Sequence, residues 1–392
     1  MKKVVIIHNR LVIGGPAVAI AELINQLHSQ FEFHLIVGMP LPDEEDAAYL
    51  FTPIPNLTIT YLQTMHRMPS LYSDYKAYLQ LYNIIKTIAP DVVHTHGTKP
   101  GILGRLVAQR LNVHTIIHTY HGHIFHSYFS KVVSTIIVRV EKYLAKRTTY
   151  IIAISNILKN EIVDNYKIAT NQQTVIIPLG LSLQHFAQSA GEKRKLFRQK
   201  YNVTNSQTAI GIVGRITAIK NMGMYVDVIK QCSMLPNFDT LKFFIIGDGD
   251  KKNSLQQQLQ KAQLNFTTSN NLNDSNIIFT SWIKATDEIM NGIDILCLTS
   301  LNEGTPVTII EAMAAQKPVI TTNAGSVTDL VKHNTNGIVT EINNVDTFTN
   351  AVQLLVTNMA LCAKMGINGY NFVLQHFDPA KRANEIATLY NN

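Results

Sequence analysis

Residues 4–16 read VVIIHNRLVIGGP, and residues 209–215 read AIGIVGR. Each stretch is a short, continuous apolar run that leads into a turn containing glycine. Similar runs alternate along the chain with segments of helical spacing, and they include Phe33–Val37, Val92–His94, Leu241–Ile246 and Ile293–Leu298. Because continuous apolar strands that alternate with helices form parallel sheets covered on both faces, the sequence predicts an α/β protein with two doubly wound parallel-sheet units.

Two breaks in this pattern set the predicted domain boundaries. Ile177–Gly180 contains a proline and a glycine, and Phe377–Pro379 interrupts the pattern again. Since these residues end regular elements, we predict an N-terminal domain over residues 1–178, a second domain over residues 179–375 and a helical segment over residues 376–392. Open parallel sheets bind ligands at the carboxyl ends of their strands, so the expected site is a cleft between the two domains.

The composition narrows the class of protein. The chain has 392 residues, 46% of them hydrophobic and 16% charged, which indicates a globular protein and excludes a disordered one. No apolar run approaches the ~18 residues of a membrane-spanning helix, and Val4–Ile7 is too short for the core of a signal peptide. Three cysteines without a CxxC pair argue against a disulfide framework and a zinc site. We therefore expect a cytoplasmic protein, whose net charge of +7 fits a phosphate-bearing ligand or an anionic membrane surface.

Two basic side chains follow the strand predicted at residues 209–213. Arg215 offers a planar fork of donors and Lys220 a point charge, and this pair suits the oxygens of a diphosphate. Gly214 precedes them at the end of the strand, where open sheets bind ligands. The alternative interpretation is that both side chains are solvated surface charges.

A second loop leads into a helix that carries a carboxylate. Pro306 is predicted as the first helical residue with Thr305 as its cap, so the backbone amides of Gly304–Val307 can hold a phosphate. Glu303 precedes this helix and Glu311 lies within it, too far apart along the axis for an acid–base pair. Each carboxylate is expected to accept hydrogen bonds from hydroxyl groups such as those of sugars. The alternative for Glu311 is a residue on the helix surface.

Two further loops also follow predicted strands. Gly247, Asp248 and Asp250 form a glycine-rich turn whose Asp-x-Asp pattern is also one by which some enzymes hold a divalent metal. Two aspartates alone leave a magnesium site underspecified, so a turn is the preferred interpretation and metal binding the alternative. Trp282 and Ile283 follow another strand, where backbone groups could hold a flat base; Trp282 could equally belong to the core.

The first half of the chain contributes five histidines within residues 114–126. Imidazole is the commonest metal ligand among side chains, but no Cys, Asp or Glu accompanies these histidines, and alternation along a strand sends His114 and its neighbours to different faces. A better interpretation places His121 and Gly122 just beyond a strand end, where the imidazole or a backbone carbonyl contacts a substrate hydroxyl. The other histidines are then ordinary hydrogen-bonded polar residues.

The segment Phe129–Arg147 is predicted to be an amphipathic helix. Its apolar residues follow a spacing of three and four, and basic residues occupy the rest of its surface. The preferred interpretation of the apolar stripe is a helix that covers the sheet. The alternative is that the basic face, or the loop containing Ile124, Phe125 and Tyr128, contacts an anionic membrane.

Taken in order, these motifs resemble the GT-B glycosyltransferases of family 4, a large group of retaining enzymes with two Rossmann-like domains. The resemblance covers nearly the whole chain, and the stretch from His118 onward is similar to bacterial members that build surface polysaccharides. The motifs that carry it are Gly14-Gly15-Pro16, Thr119-Tyr120-His121-Gly122, Gly214-Arg215 with Lys220, Gly247-Asp248-Gly249, and Glu303 and Glu311 with seven residues between them.

The resemblance implies a role for each matching residue. Gly14 and Gly15 bring the backbone close to the diphosphate of the sugar donor. The resemblance also implies that Arg215 and Lys220 neutralise the donor diphosphate. It implies that Glu303 binds hydroxyls of the transferred sugar and Glu311 those of the ribose, and that His121 contacts the sugar at the reacting centre. The family is metal-independent, so a nucleotide sugar is the only co-substrate implied, and its final helix crosses back to the first domain. Ser281-Trp282 departs from the family's pattern, in which glycine is frequent at the base-binding loop.

The resemblance thus predicts a retaining glycosyltransferase that moves a sugar from a nucleoside diphosphate sugar to a saccharide or lipid-linked saccharide. UDP is the default nucleotide by family frequency, and nucleic acid is not an expected partner. Two alternatives use the same phosphate contacts: a nucleotide-sugar epimerase and a binding module without catalysis. The reaction product distinguishes the first alternative, and an absence of donor hydrolysis distinguishes the second.

Overall fold

The computed structural model describes residues 1–12, 14–41, 46–66, 70–122, 131–268 and 275–392. Contacts within the chain divide it into two compact units. Unit 1 consists of Met1–Ser182 together with Phe377–Asn392, and unit 2 consists of Leu183–His376. The apolar loop that contains Ile124, Phe125 and Tyr128 lies outside the described residues, and so do residues 129 and 130 of the predicted helix.

Unit 1 is a parallel sheet covered by helices. Within its described residues the strands are β1 (Lys2–Arg10), β2 (Phe31–Gly38), β3 (Leu57–Leu62), β4 (Val92–His96), β5 (Thr115–Tyr120), β6 (Tyr150–Ala153) and β7 (Thr174–Ile176). The helices that alternate with them are α1 (Gly15–Leu27), α2 (Leu71–Ile88), α3 (Thr98–Arg110), α4 (Lys131–Ala145) and α5 (Asn156–Asn160). All strand pairs are parallel, in the order β3-β2-β1-β4-β5-β6-β7.

The apolar run of β1 is buried on both of its faces. Val4 and Ile6 belong to a core cluster that contains residues of α1, whereas Val5 and Ile7 belong to a cluster that contains residues of α2 and α3. Successive side chains of a strand point to opposite faces, so a central strand with a helix layer on each side is apolar throughout. This explains why the run does not alternate with polar residues.

Unit 2 repeats the architecture. Its strands, within the described residues, are β8 (Thr208–Val213), β9 (Leu241–Ile246), β10 (Thr267–Thr268), β11 (Ile277–Thr280), β12 (Ile295–Leu298), β13 (Val319–Thr322) and β14 (Gly337–Thr340). Its helices are α6 (Gln184–Ala187), α7 (Ala190–Lys200), α8 (Met222–Cys232), α9 (Lys252–Lys261), α10 (Thr286–Gly292), α11 (Val307–Ala314), α12 (Val327–Leu330), α13 (Val345–Thr357) and α14 (Met359–His376). The strands again pair in parallel, in the order β10-β11-β9-β8-β12-β13-β14.

The last helix, α15 (Pro379–Asn391), belongs to unit 1. Asp378 begins it, because its side chain accepts a hydrogen bond from the backbone N–H of Lys381 at 2.9 Å. The helix packs against α1, and its Tyr390 is fully buried with its ring edge-on to Phe31 at 5.4 Å. The ammonium of Lys2 donates to the carbonyl of Tyr390 at 3.1 Å.

Each sheet has one point where the strand order reverses. In unit 1 this point lies between β1 and β4, and in unit 2 between β8 and β12. At such a point the connections leave in opposite directions and open a crevice beyond the carboxyl ends of the two strands. The loops after these four strands are therefore the positions at which the fold places a ligand.

The predicted fold class is confirmed, while several elements differ in detail. The short strands β7, β10 and β14 were not predicted; they have three, two and four residues. Helix α2 begins at Leu71, since the side chain of Ser70 caps it by accepting from the N–H of Ser73. Helix α7 ends at Lys200.

Candidate functional site

The loops after β8 and β9 in unit 2 pack closely because both contain glycine. Gly214 has a φ of 150° and Gly247 a φ of 129°, which side-chain-bearing residues rarely adopt. A Cβ atom on Gly247 would lie 2.1 Å from the carbonyl oxygen of Gly214. Three backbone hydrogen bonds join these segments: the Gly214 N–H donates to the Ile246 carbonyl at 3.0 Å, the Ile216 N–H to the Asp248 carbonyl at 2.9 Å, and the Lys251 N–H to the Ile216 carbonyl at 3.1 Å.

The loop after β12 holds the same segment from its other side. The backbone N–H of Leu301 donates to Ile219 at 2.9 Å. The buried hydroxyl of Thr299 donates to the carbonyls of Lys220 and Asn221 at 3.2 and 3.0 Å. The segment from Gly214 to Lys220 is thus fixed by backbone contacts on both flanks. Half-buried Arg215 lies within it, at the point of strand reversal.

Lys220 and Glu303 meet at this point. The Lys220 Nζ atom lies 2.6 Å from Glu303 Oε1, and the Ser300 hydroxyl donates to the same oxygen at 2.5 Å. Sequence reasoning assigned both charged residues to the site but did not predict that they pair. Ser300 was also missed, although its position three residues before Glu303 is visible in the sequence.

Glu303 itself is held in place by the loop after β13. The backbone N–H of Ser326 donates to the Glu303 carbonyl at 3.0 Å. Gly325 has a φ of 59°, and a Cβ atom there would lie 2.0 Å from that carbonyl oxygen. Sequence reasoning missed Gly325, whose only signal is a glycine shortly after a buried strand.

Helix α11 begins one residue later than predicted. Pro306 is its N-cap residue, Val307 is the first helical residue, and the cap makes no side-chain hydrogen bond within the described residues. The prediction that Thr305 caps the helix was therefore wrong. Proline fixes its own φ but carries no side-chain acceptor, so the first turn is not covered by a capping oxygen. The half-buried Gly304 and Thr305 precede it in the same loop.

Glu311 lies one turn inside α11 in an apolar setting. Burial raises the pKa of its carboxyl to about 8; a hydrogen bond from Thr286 opposes this rise, and the nearby charge of Asp287 adds to it. The Thr286 hydroxyl is 3.5 Å from Glu311 Oε1. A carboxyl with such a pKa exchanges its proton near neutral pH, so it can donate or accept a hydrogen bond.

The two aspartates after β9, Asp248 and Asp250, have different surroundings. Asp248 accepts hydrogen bonds from Lys252 at 2.8 Å, Ser281 at 3.1 Å and the Gly249 amide at 2.9 Å. Although burial raises its pKa, these donors hold it below the usual range. Asp250 is 66% exposed. Within the described residues, no three His, Cys, Asp or Glu side chains come together as a metal site would require.

The loop after β11 joins this group through one contact. Ser281 bonds to Asp248, which places the half-buried residues Trp282 and Ile283 in the loop next to the one after β9. Unit 2 therefore brings the predicted residues of the loops after β8, β9 and β12 together around Gly214. The loop after β11 contacts this group through Asp248. Gly14, Gly15 and His121 belong to unit 1.

Gly14 and Gly15 form the start of α1 in unit 1. Gly14 is the N-cap residue, its carbonyl accepts from the N–H of Val18 at 3.2 Å, and Pro16 lies in the first turn. Gly14 has an extended backbone, and a Cβ atom there would meet only the Val12 carbonyl oxygen, at 4.0 Å. Neither packing nor backbone conformation thus requires glycine at this position.

His121 in unit 1 is joined to a second histidine. Its Nε2 atom lies 2.8 Å from Nδ1 of His96, and the two rings stack with centroids 5.1 Å apart. Burial, with a smaller contribution from His8 and His94, lowers the pKa of His121 to about 3. The imidazole is therefore neutral at physiological pH. Sequence reasoning did not single out His94 and His96, although two histidines spaced by two in a predicted strand share one face.

Two histidines of the predicted histidine-rich stretch have hydrogen-bond partners of their own. His118 bonds through Nδ1 to the Thr95 hydroxyl at 2.8 Å, and His114 bonds to the hydroxyl of Thr115 at 3.0 Å. His123 and His126 lie outside the described residues. The histidine that bonds to His121 is His96, which lies on the neighbouring strand β4.

A buried ion pair supports the end of β5 just before His121. The Arg105 guanidinium of α3 and the Tyr120 hydroxyl both donate to Oε2 of Glu141 on α4, each at 2.5 Å. Arg105 and Glu141 are fully buried. The network joins three elements through one carboxylate oxygen.

Helix α4 does not bury the whole of its predicted apolar stripe. Leu144 is buried, but Val132 is 70% exposed and Ile136 is 54% exposed. The interpretation that the stripe covers the sheet is therefore wrong for the first turns of the helix. In the part of the chain that the structure describes, we find no helix with the length and apolarity that crossing a bilayer requires.

Both halves of the chain match family models. Residues 13–185 match the model described as Glycosyltransferase Family 4, and residues 193–372 match the model described as Glycosyl transferases group 1. The chain is 30% identical over 390 residues to UDP-Gal:alpha-D-GlcNAc-diphosphoundecaprenol alpha-1,3-galactosyltransferase of Escherichia coli, with 97% of this chain and 94% of that protein covered.

Solved structures show the same fold. The HepE protein of Anabaena, crystallised with UDP and glucose, superposes with a TM-score of 0.79 at 19% identity, covering 99% of both chains. Sucrose-phosphate synthase of Thermosynechococcus elongatus superposes with a TM-score of 0.81 at 18% identity, covering 100% of this chain and 98% of that one. The chain has two parallel sheets, matches both family models and is similar along its length to a named galactosyltransferase. It therefore belongs to the GT-B glycosyltransferases of family 4.

Proposed function

We propose that this glycosyltransferase moves a sugar from a UDP-sugar, with retention of anomeric configuration, to a lipid-linked or polysaccharide acceptor in the synthesis of a surface polysaccharide. In this proposal unit 2 binds the donor and unit 1 provides the acceptor side. The E. coli relative is named for a UDP-galactose donor and a diphosphoundecaprenol-linked acceptor, and HepE was crystallised with UDP and glucose. These names support the nucleotide and the class of acceptor.

The observation that carries the proposal is the cationic and amide-lined group at the strand reversal of unit 2. When the anomeric bond breaks, the departing diphosphate gains negative charge. Arg215, Lys220 and the backbone N–H groups of Gly304, Thr305 and Val307 belong to loops at this point, so they can stabilise this charge as it develops. Fixed donors of this kind need no reorganisation during the reaction.

The pairing of Lys220 with Glu303 holds both charges in place. The ammonium bonds to the carboxylate at 2.6 Å. A bound diphosphate would compete for Lys220 and leave Glu303 to accept hydrogen bonds from sugar hydroxyls. Glu311, a turn further along α11, would accept from the ribose hydroxyls. His121, with Gly14 and Gly15, would contact the sugar and diphosphate from unit 1.

The proposed reaction proceeds by attack on the face that the leaving group departs from. The bond between the anomeric carbon and the β-phosphate oxygen breaks, and the acceptor hydroxyl oxygen forms the new bond to that carbon. The hydroxyl proton passes to an oxygen of the leaving diphosphate. Charge and atoms balance without a protein nucleophile and without a metal, and we assign neither.

Removal of one phosphate donor tests the assignment. We expect Lys220→Ala and Arg215→Ala each to lower transfer about 100-fold or more, because each removes a donor to the developing charge. The measurement is sugar transfer from UDP-galactose to a synthetic N-acetylglucosaminyl diphosphate lipid. Lys230→Ala, which changes an exposed lysine of α8, is the matched control. Near-normal transfer by both variants would refute the diphosphate assignment, and an isomerised nucleotide sugar as the product would show an epimerase.

The donor nucleotide is tested by ligand-induced stabilisation. A ligand that binds only the folded protein stabilises it by RT ln(1 + [L]/Kd), so at equal concentration the ligand with the higher affinity raises the melting temperature more. We expect UDP-sugars to raise it more than GDP- or ADP-sugars at equal concentration. A larger rise with GDP-sugars would overturn the proposed nucleotide and leave the phosphate site intact.

We also propose that α4 touches the cytoplasmic face of the membrane that carries the acceptor. Val132, Val133 and Ile136 are exposed, and Arg139 and Lys142 are exposed on the same helix. An exposed apolar patch beside basic residues binds anionic lipid by burial and by charge. We expect Arg139→Gln/Lys142→Gln to weaken sedimentation with phosphatidylglycerol vesicles, compared with Lys195→Gln/Lys230→Gln in unit 2. Equal sedimentation of the two double variants would remove α4 as the contact.

A further inference from the structure

Three histidine rings in unit 1 form a connected row. His94 and His96 project from β4, with ring centroids 4.2 Å apart, and His121 stacks on His96 from beyond the end of β5. His96 Nδ1 and His121 Nε2 are 2.8 Å apart, which is a hydrogen bond between two ring nitrogens. His96 and His121 also line one cavity of unit 1, together with Thr119, Glu22 and Arg382.

One proton must lie between these two nitrogens, since a hydrogen bond needs one donor and one acceptor. Two neutral arrangements satisfy this condition. Either His96 donates from Nδ1 to Nε2 of His121, or His121 donates from Nε2 to Nδ1 of His96. The arrangements differ in which nitrogen of His121 carries its proton, and therefore in what His121 offers to a ligand.

The other nitrogen of His96 decides between them. His96 Nε2 is buried and has no hydrogen-bond partner among the described residues. If His121 donated, neutral His96 would carry its proton on this Nε2 and bury an N–H group without an acceptor. If His96 donates, the buried Nε2 is a bare lone pair. Unpaired buried N–H groups are rarer than unpaired acceptors, so the second arrangement is favoured.

We propose that His96 is a positioning residue that donates from Nδ1 to Nε2 of His121 and thereby holds His121 in the tautomer protonated at Nδ1. This inference rests on the proposed function, in which His121 contacts the transferred sugar. His121 then presents an N–H donor and not a lone pair. Its partner on the donor substrate must be an oxygen that accepts, such as a sugar oxygen or a phosphate oxygen.

The surrounding residues keep the ring of His96 in this position. His94 lies against it and is itself fixed at both nitrogens, by Tyr390 Oη at Nδ1 and by Thr119 Oγ1 at Nε2, each at 2.7 Å. His8 of β1 approaches the ring of His96 edge-on, with centroids 6.3 Å apart. Thr119 lies on β5, two residues before His121, so the same contacts tie the row of rings to the strand that ends just before His121.

The tautomer can be measured directly, without activity. Nitrogen-15 spectra of protein labelled at its 14 histidines distinguish protonated from bare ring nitrogens, and a His121→Asn sample assigns the signals of His121. At pH 7.5 we expect His121 to show a protonated Nδ1 and a bare Nε2 that accepts a hydrogen bond. A protonated Nε2 on His121 would overturn the proposal.

Substitution of His96 tests its positioning role. The amide of His96→Asn can donate from near the place of Nδ1, whereas His96→Gln carries its amide toward the place of Nε2 and cannot reach His121. We expect His96→Gln to lower kcat about 10–100-fold with little change in KM for the donor, and His96→Asn to retain most of kcat. We expect the His121 proton to leave Nδ1 in His96→Gln only. Equal kcat and equal spectra in both variants would refute the role of His96.

Failure of the proposed function would give a different result from failure of the positioning role of His96. If His121→Asn transferred sugar normally, His121 would not contact the reacting sugar, yet its spectrum could still show the Nδ1 tautomer. If the spectrum showed the other tautomer while His121→Asn lost activity, the proposed function would stand and the positioning role of His96 would not.

Discussion

Gly247 and Gly191 make a matched pair of residues, because one lies at a close backbone approach and the other in open space. A Cβ on Gly247 would lie 2.1 Å from the Gly214 carbonyl oxygen, whereas a Cβ on Gly191 in α7 meets nothing within 4 Å. We expect Gly247→Ala to destabilise unit 2 by about 2 kcal/mol or more through backbone strain, and to reduce UDP binding. Gly191→Ala should stabilise by about 0.5–1 kcal/mol, because alanine favours the helix.

Urea unfolding and UDP titration of both variants measure these effects. If the two substitutions changed stability equally, the contact between the loops after β8 and β9 would not constrain Gly247. The sequence identified Gly247 as part of a turn at a strand end. It could not reveal the neighbour at 2.1 Å, because that atom lies on a different strand connection.

Glu311 gives a pH dependence of stability whose sign follows from its pKa. Burial raises this pKa from 4.5 to about 8, so the folded protein holds the proton more tightly than the unfolded chain. Its contribution to stability is fully present below pH 4.5 and is lost as the pH rises through 8. We expect the melting temperature of Glu311→Gln to fall less than that of the native protein between pH 6.5 and pH 9. Parallel curves for the two proteins would contradict the raised pKa.

Between secondary-structure elements, the fully buried ion pair of Arg105 and Glu141 joins α3 and α4 to the end of β5. We expect Glu141→Gln to destabilise unit 1 by about 3–5 kcal/mol, because it leaves the guanidinium buried without a counter-charge. The double variant Arg105→Met/Glu141→Leu should cost less than Glu141→Gln alone, since no unpaired charge remains.

Urea denaturation followed by circular dichroism measures this difference. A double variant that is less stable than Glu141→Gln would show that the ion pair contributes more than its burial costs. Neither residue stood out in the sequence, because an arginine and a glutamate on two helical segments usually lie on the surface. Their pairing depends on the packing of both helices over β5, which periodicity does not encode.

Elements with strong local signals were predictable, and their partners were not. The apolar runs of β1 and β8 and the order of the glycine and charge motifs sufficed for the fold class and for identifying three loops of the candidate site. The pairing of Lys220 with Glu303 and of His96 with His121 was not predictable, because each joins residues from different strands. The start of α11 was misjudged by one residue, since proline is found both as a cap and in the first turn.

At the scale of the whole molecule, the two units should respond differently to nucleotide. Because a bound ligand suppresses local opening around its site, we expect UDP to slow amide hydrogen exchange at residues 214–221 and 299–307 of unit 2. Strands β2 and β3 of unit 1 should be unaffected. Uridine, which lacks the diphosphate, is the matched ligand control and should protect these loops much less. Equal protection by uridine and UDP would place the phosphates elsewhere.

The position of α15 has a consequence for the order in which the protein is made. Unit 2 is continuous in the sequence, so a ribosome synthesises all of it before the residues from Phe377 onward that complete unit 1. Domains fold as units during synthesis, usually the N-terminal one first. Here the nascent N-terminal half lacks the helix that covers α1 and the Tyr390 hydroxyl that bonds to His94 until translation has passed through unit 2. Unit 1, whose first residues are synthesised first, can therefore be completed only after the whole of unit 2 has been synthesised.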